Sequence, residues 1–299
     1  WNGEDAKLLQ LNSVAGMDTV DNVTYKGLFP TIKCDYGNGV TLNAYSGLIP
    51  HNIKDSSLPV AWLDVTVKNT TGKDSDFSVA FSWEDIIARG ISDYADPSIF
   101  NQVSNNAWGL NTVKDQHPEK GLQPMEKPQT RVAPLKVGSF SGLLQYSKKL
   151  KPSKMTYQNY NNKTAILAEK TSGAEITFLP EWKVDNPQAW KSFVKSGEFD
   201  PDMSQPLSSH AASAVAIKTH LKAGESKTVR FMLAWFAPEY RIDREKADPV
   251  TYFGSADYCR YYHNYFDNIK ELVSYAAKNR SRILRKSREW HKPVLDSTM

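Results

Sequence analysis

The sequence predicts a mainly β fold: a large two-sheet antiparallel β-sandwich with long loops and an amphipathic helix at its C-terminal end. Three observations carry this reading. Apolar residues recur with a period of two through most of the patterned segments, polar turn segments separate them, and no helical segments alternate with the strands as a parallel α/β sheet requires. The 299 residues suffice for a large core, in one big β-domain or two smaller ones.

Taken in order, Val40–Ser46 is the first clear strand. Ala61, Leu63, Val65 and Val67 then alternate with Asp64, Thr66 and Lys68, which puts the apolar set on one face. Phe77, Val79, Phe81 and Trp83 repeat the pattern against Ser78, Ala80 and Ser82. The polar segment Asn69–Asp76 between them suits a turn joining antiparallel neighbours. Further strands are expected at Phe140–Tyr146, Ala165–Glu169, Ala174–Trp182, Ala214–Leu221 and Val229–Phe236, the last two joined tightly through Leu221–Lys227. Asp93–Thr130 and Asn186–Ser209 have no sustained period and read as long surface excursions, a length usual for functional or interfacial loops. Ile269, Leu272, Val273, Ala276, Ile283 and Trp290 fall at helical spacing, so this stretch reads as a helix with one face on a partner surface and a solvated basic face. The division that follows is a β-sandwich over 1–265 and a helical linker over 266–299.

Composition narrows the function. With 40% hydrophobic and 23% charged residues the chain is an ordinary globular protein, and no apolar run reaches the roughly 20 residues of a membrane span. A net charge of +4 is small for this length and does not point to nucleic acid, although Lys278, Arg280, Arg282, Arg285, Lys286, Arg288 and Lys292 crowd one stretch against Glu289 alone. Cys34 and Cys259 make neither a disulfide framework nor a metal site, and both are expected as buried thiols. The four Asn-X-Ser/Thr triplets at Asn22, Asn69, Asn162 and Asn279 serve as surface-loop markers. The chain begins with Trp1, without a signal peptide, and reads as a processed or artificial start.

No standard catalytic constellation stands out. His51, His117, His210, His220, His263 and His291 are scattered without metal-ligand spacing, so neither a metal nor a cofactor is expected. Gly138-Ser139-Phe140-Ser141-Gly142 lacks the spacing of a nucleophile elbow. A retaining glycosidase needs two carboxyl groups about 5 Å apart. Glu84 and Asp85 are chain neighbours and point to opposite faces of a strand; Glu181 beside Trp182 reads as a strand-end acid next to a core aromatic. Among the 8 Trp and 14 Tyr, Trp62, Trp83, Trp182 and Trp235 lie in strand patterns and belong to the core. Trp108 and Trp190 lie in loops and are the better candidates for ligand or interdomain contact.

Several motifs together resemble the N-terminal domain of glycoside hydrolase family 116, the β-glucosidase and non-lysosomal glucosylceramidase family. They are Phe29-Pro30-Thr31, the loop from Leu48 through Pro50-His51 to Asp55-Ser56-Ser57-Leu58-Pro59-Val60, the strand end Val65–Asn69, Gly224-Glu225-Ser226 and Phe231-X-Leu233-Ala234-Trp235. Tyr258–Phe266 and Trp290-X-X-Pro293 are similar to the passage into that family's next domain. The stretch from Asp93 to Lys163 matches poorly. Two departures stand out: no glycine-rich segment precedes Lys26, which suggests a truncated start, and Phe236 stands where a polar or acidic residue is expected on the strand's outward face.

The resemblance implies a β-sandwich packed against an (α/α)6 barrel that begins about where this chain stops. Retaining hydrolysis of terminal β-glucosides would reside in that barrel, and the family's catalytic Glu and Asp have no counterpart here. No catalytic residue is therefore assigned. The loop carrying His51, Asp55, Ser56 and Ser57 is the candidate rim of the active site; the plainer reading is that its Asp and Ser satisfy backbone groups in a turn bounded by Pro50 and Pro59. The competing functions are a stand-alone carbohydrate-binding β-sandwich module and an interaction module using the basic terminal helix. The terminal helix discriminates between them: docking on its own sandwich with no apolar surface left over would favour the carbohydrate-binding module.

Overall fold

The computed structural model describes residues 1–13, 16–84, 130–147, 162–183, 187–203, 211–241 and 257–297. Asp85, Trp108 and the excursion over 93–129 lie outside them.

Eight strands form one antiparallel sheet in the order β1 (Thr24–Leu28), β2 (Thr31–Asp35), β3 (Val40–Tyr45), β4 (Val60–Lys68), β11 (Ser226–Phe236), β8 (Lys163–Glu169), β7 (Phe140–Ser147) and β6 (Thr130–Val137). A second sheet has the order β5 (Ser75–Glu84), β10 (Ala211–Leu221) and β9 (Ala174–Lys183), and β12 (Glu239–Arg241) pairs with β13 (Asp257–Cys259). The helices are α1 (Ile53–Ser56), α2 (Lys191–Ser196) and α3 (Ile269–Leu295).

The period of two decides which residues meet. Val65, Val67, Val229, Phe231, Leu233, Ile166 and Ala168 of the large sheet pack on Phe77, Val215 and Ile217 of the small one, forming the sandwich core. The alternate residues of the same strands, Val60, Trp62, Met232, Ala234, Phe236, Ala165 and Leu167, form a second core under α3. A third cluster lies around Leu179, Trp182, Ala212, Ala214 and Ala216, with Trp190, Phe193 and Phe199 packed on them.

Prolines and a glycine sit where the sheets tolerate them. Pro134 lies in the edge strand β6, and Pro180 lies in the edge strand β9 beside a register shift at Ala212/Ala214, the places where a missing N–H costs least. At Gly142 a Cβ would run into the Ile166 carbonyl oxygen of β8 and stand 2.8 Å from Leu167 Cα, so only glycine fits between those strands.

Several expectations need correction. Asn69–Asp76 does not join paired neighbours: β4 and β5 belong to different sheets, and the segment crosses between layers. Asn69 organises that crossing. Its Nδ2 donates to Lys73 O at 2.7 Å and Leu221 O at 3.0 Å, and its Oδ1 accepts from Thr71 N at 3.0 Å. Asn69 is buried, and Asn279 bonds to Tyr275 O from within α3, so neither triplet marks a surface loop. Trp83 is 38% exposed, not core. Phe236 does not face outward but is buried against Tyr262, with ring centroids 5.8 Å apart. Trp190 sits not in an open loop but at the end of a 3-10 turn leading into α2, only 7% exposed.

The terminal helix starts from a reciprocal cap: Asn268 Oδ1 accepts from Glu271 N at 3.0 Å, and Glu271 Oε2 accepts from Asp267 N at 3.1 Å. The partner of its apolar face is the chain's own large sheet. Ile269, Leu272, Val273, Ala276 and Ile283 are all buried there. The buried stripe then continues through Ser287 and His291, whereas Trp290 is 42% exposed. Tyr25, Phe29, Ile53, Tyr261, Tyr265 and Trp290 remain exposed.

Candidate functional site

The loop between β3 and β4 is built around α1. Asn52 caps that turn, its Oδ1 accepting from Asp55 N at 3.1 Å. Ser56 closes the loop on itself: its Oγ donates to Ile49 O at 3.0 Å and accepts from Ile49 N at 2.9 Å. This is the local use of serine that the sequence suggests. Ser57 is half-buried, with its Oγ 3.4 Å from Lys54 O. His51 is exposed at the tip, with φ at 63°, a left-handed conformation uncommon for a residue with a Cβ.

Asp55 reaches much further than its turn. Its side chain is 2% exposed, and both oxygens face Arg282 of α3: Oδ2 lies 2.7 Å from Nη1 and Oδ1 lies 3.0 Å from Nη2. Tyr275 OH donates to Oδ1 at 2.9 Å and Asn52 Nδ2 to Oδ2 at 2.5 Å. Burial pushes the carboxyl pKa up, but the hydrogen bonds from Arg282 and Tyr275 outweigh it and hold the group below the usual carboxylate value. Nearby, Lys54 lies 4.4 Å from the Tyr275 ring centroid and 5.2 Å from that of Tyr265, a cation held against aromatic faces. The loop backbone comes within reach of the helix at Gly47, where a Cβ would be 2.7 Å from Asp55 O and 2.9 Å from Ile283 Cγ2. Leu48 N donates to Ser287 Oγ at 3.1 Å.

A second polar cluster lies on the helix-facing side of the large sheet. Arg230 of β11 is directly opposite Asp64 of β4, with Nε 2.8 Å from Oδ1. Arg230 also pairs with Glu169 of β8, and Arg280 of α3 pairs with the other oxygen of Asp64. Tyr45 OH donates to Asp64 Oδ2 at 3.2 Å. Burial, then the Asp64 charge, pushes the Tyr45 phenol above its ordinary pKa. Burial would lower the pKa of Arg230, but Asp64 and Glu169 more than compensate and raise it. The alternation places Asp64 on the face opposite the apolar set, and Arg280 of α3 meets it there.

These clusters use their acids for structure. Asp55 has four hydrogen bonds from Arg282, Tyr275 and Asn52, and Asp64 is shared by two arginines and a tyrosine. Neither is placed to act as a nucleophile or a proton donor, which needs a carboxyl group free to meet a substrate. Trp182, the neighbour of Glu181, is committed as well: its Nε1 donates to Ser82 Oγ at 3.0 Å, and its ring meets Trp190 edge-on at 5.2 Å. Among the described residues, no group of three or more His, Cys, Asp or Glu could hold a metal ion. No helix there is long and apolar enough to cross a membrane.

The sequence profile of the family described as "beta-glucosidase 2, glycosyl-hydrolase family 116 N-term" matches residues 2–283, nearly the whole chain. The chain belongs to this family. The motif Asp55-Ser56-Ser57-Leu58-Pro59-Val60 of this family 116 N-terminal domain thus has a physical reading. Asp55 bolts the loop to α3, Ser56 closes it, Leu58 enters the core under the helix and Val60 opens β4.

Among solved structures, this family 116 N-terminal domain is similar to a protein named "Putative kojibiose phosphorylase from human microbiome", with 11% identity and a TM-score of 0.27. That match covers 73% of the present chain and 20% of the other, so the chain spans about a fifth of that protein.

Proposed function

We propose that this chain is the non-catalytic N-terminal β-sandwich portion of a retaining β-glucosidase or glucosylceramidase-like glycoside hydrolase. It packs against an (α/α)6 catalytic domain of the same protein, which binds and cleaves the β-glucoside or glucolipid. The family match over residues 2–283 carries the reading. The commitment of Asp55 and Asp64 to arginine pairs supports a structural role for this portion.

The packing face is the one around α1. Ile53 is 55% exposed and Tyr261 48% exposed, with Tyr265 near Lys54, so apolar surface stands beside a loop clamped from below by Asp55. His51, exposed at the loop tip, and the half-buried Ser57 would form the rim, while Asp55 and Ser56 hold its shape. Trp190 supports the outer face of the small sheet from inside its aromatic cluster. Trp108 lies outside the described residues.

Hydrogen–deuterium exchange tests this placement by comparing the 299-residue chain with the full-length product of its gene. Amides of 50–54 and 261–265 are expected to exchange markedly more slowly in the longer protein. Unchanged exchange there, with new protection on another face, would remove this loop from the interface.

A further inference from the structure

A cleft of about 580 Å³ opens between the helix-facing side of β1–β3 and the last turns of α3. This is within the range of small-molecule sites, roughly 300–1,000 Å³. Leu28, Tyr45 and Leu284 supply its apolar lining. His291 Nε2 donates to the Phe29 carbonyl at 2.9 Å, so the β1–β2 hairpin is tied to the helix that forms the opposite wall.

The charges around the cleft are one-sided. Lys26 of β1, Lys33 of β2 and Arg288 of α3 all line it. Lys26 and Lys33 are directly opposite each other in the strand register, an arrangement that destabilises a sheet when nothing neutralises it. Among the described residues none of these three cations has a carboxylate partner. Asp296, the acid on the wall, is taken by Lys292. Asn43, opposite Lys33, brings an amide with no hydrogen-bond partner among the described residues.

We propose that this cleft binds a phosphate monoester carried on a small organic body. Lys26, Lys33 and Arg288 surround the phosphate, the Asn43 amide donates to it, and the organic part lies over Leu28 and Leu284. A doubly charged oxyanion relieves the Lys26–Lys33 repulsion, and both ammonium and guanidinium groups are strong phosphate donors. The cations converge from a sheet and a helix onto one concavity, where their fields add. The site lies apart from the α1 loop, and the inference does not rest on the glycosidase reading.

The test is an amide NMR titration of the ¹⁵N-labelled 299-residue chain with glucose 6-phosphate, inorganic phosphate and glucose. Saturable shifts at residues 26–45 and 284–296 are expected with glucose 6-phosphate, more weakly with inorganic phosphate, and not with glucose. The Lys26→Glu/Lys33→Glu variant, whose two side chains are exposed, should keep the remaining spectrum and bind about tenfold more weakly or worse. Absence of saturable shifts, equal response to glucose, or binding untouched by the double variant would overturn the proposal. So would binding of inorganic phosphate alone, which leaves the organic body without a place. Sedimentation with phosphatidic-acid vesicles without response to either soluble phosphate would overturn it as well, in favour of a membrane surface.

Discussion

Asp64→Ala is expected to destabilise the chain by about 3 kcal/mol, the lower end of the range for removing one partner of a buried ion pair, because Asp64 is 15% exposed and Arg230 keeps Glu169. The loss follows from what stays behind. Arg230 and Arg280 have side chains only 23% and 15% exposed, and both point at the vacated position. Tyr45 loses its acceptor, and the Arg280 guanidinium remains 5.4 Å from the Tyr45 ring without the charge that fixed it. Because Arg280 comes from α3, the helix should loosen with the sheet. The measurement is denaturant unfolding followed by far-UV circular dichroism. Asp64→Ala/Arg280→Met should cost less than the sum of the single changes. Arg230 keeps Glu169 while Arg280 is the charge left stranded, and the double change removes it along with its partner.

Asp55→Ala is expected to cost about 2–3 kcal/mol, less than Asp64→Ala because Arg282 is 39% exposed and water can replace part of what it loses. The effect should depend on pH with a definite sign. The Asp55 carboxyl pKa is lowered in the folded chain, with burial opposing the shift and Arg282 and Tyr275 overcoming it. Its stabilisation is therefore fully present above the unfolded value, about 3.9, and is lost as pH falls through the lower folded value. Unfolding of the parent chain and of Asp55→Asn, measured from pH 7 downward, should show a constant difference at neutral pH. That difference should narrow below about pH 4. A difference that widens with acid would contradict the Arg282 clamp.

The strands were legible where one face must be apolar. The alternations in β4 and β5 point to their strands because each buries an apolar set in the sandwich. The short outer strands β1 and β2 carry no such alternation, since β1 is largely exposed and its polar residues face an open cleft. Sheet membership was not legible either: a polar segment such as Asn69–Asp76 has the same composition whether it turns a hairpin or crosses layers. The α1 loop could be found from its motif, but the partner of Asp55 could not. Arg282 lies 227 residues away in a stretch whose basic residues read as a solvated face. A pair brought together only by docking of a helix on a sheet leaves no spacing in the sequence. The same holds for Trp190, whose burial depends on Trp182 and Phe199 meeting it from other elements.

The central claim is that this family 116 domain supports a glycosidase without supplying its catalytic carboxylates. Hydrolysis of a chromogenic β-glucoside, measured side by side for the 299-residue chain and the full-length product of its gene, tests it most directly. Turnover by the longer protein and none by the chain is the predicted result. Turnover by the 299 residues alone would place a catalytic acid pair within them and contradict the account.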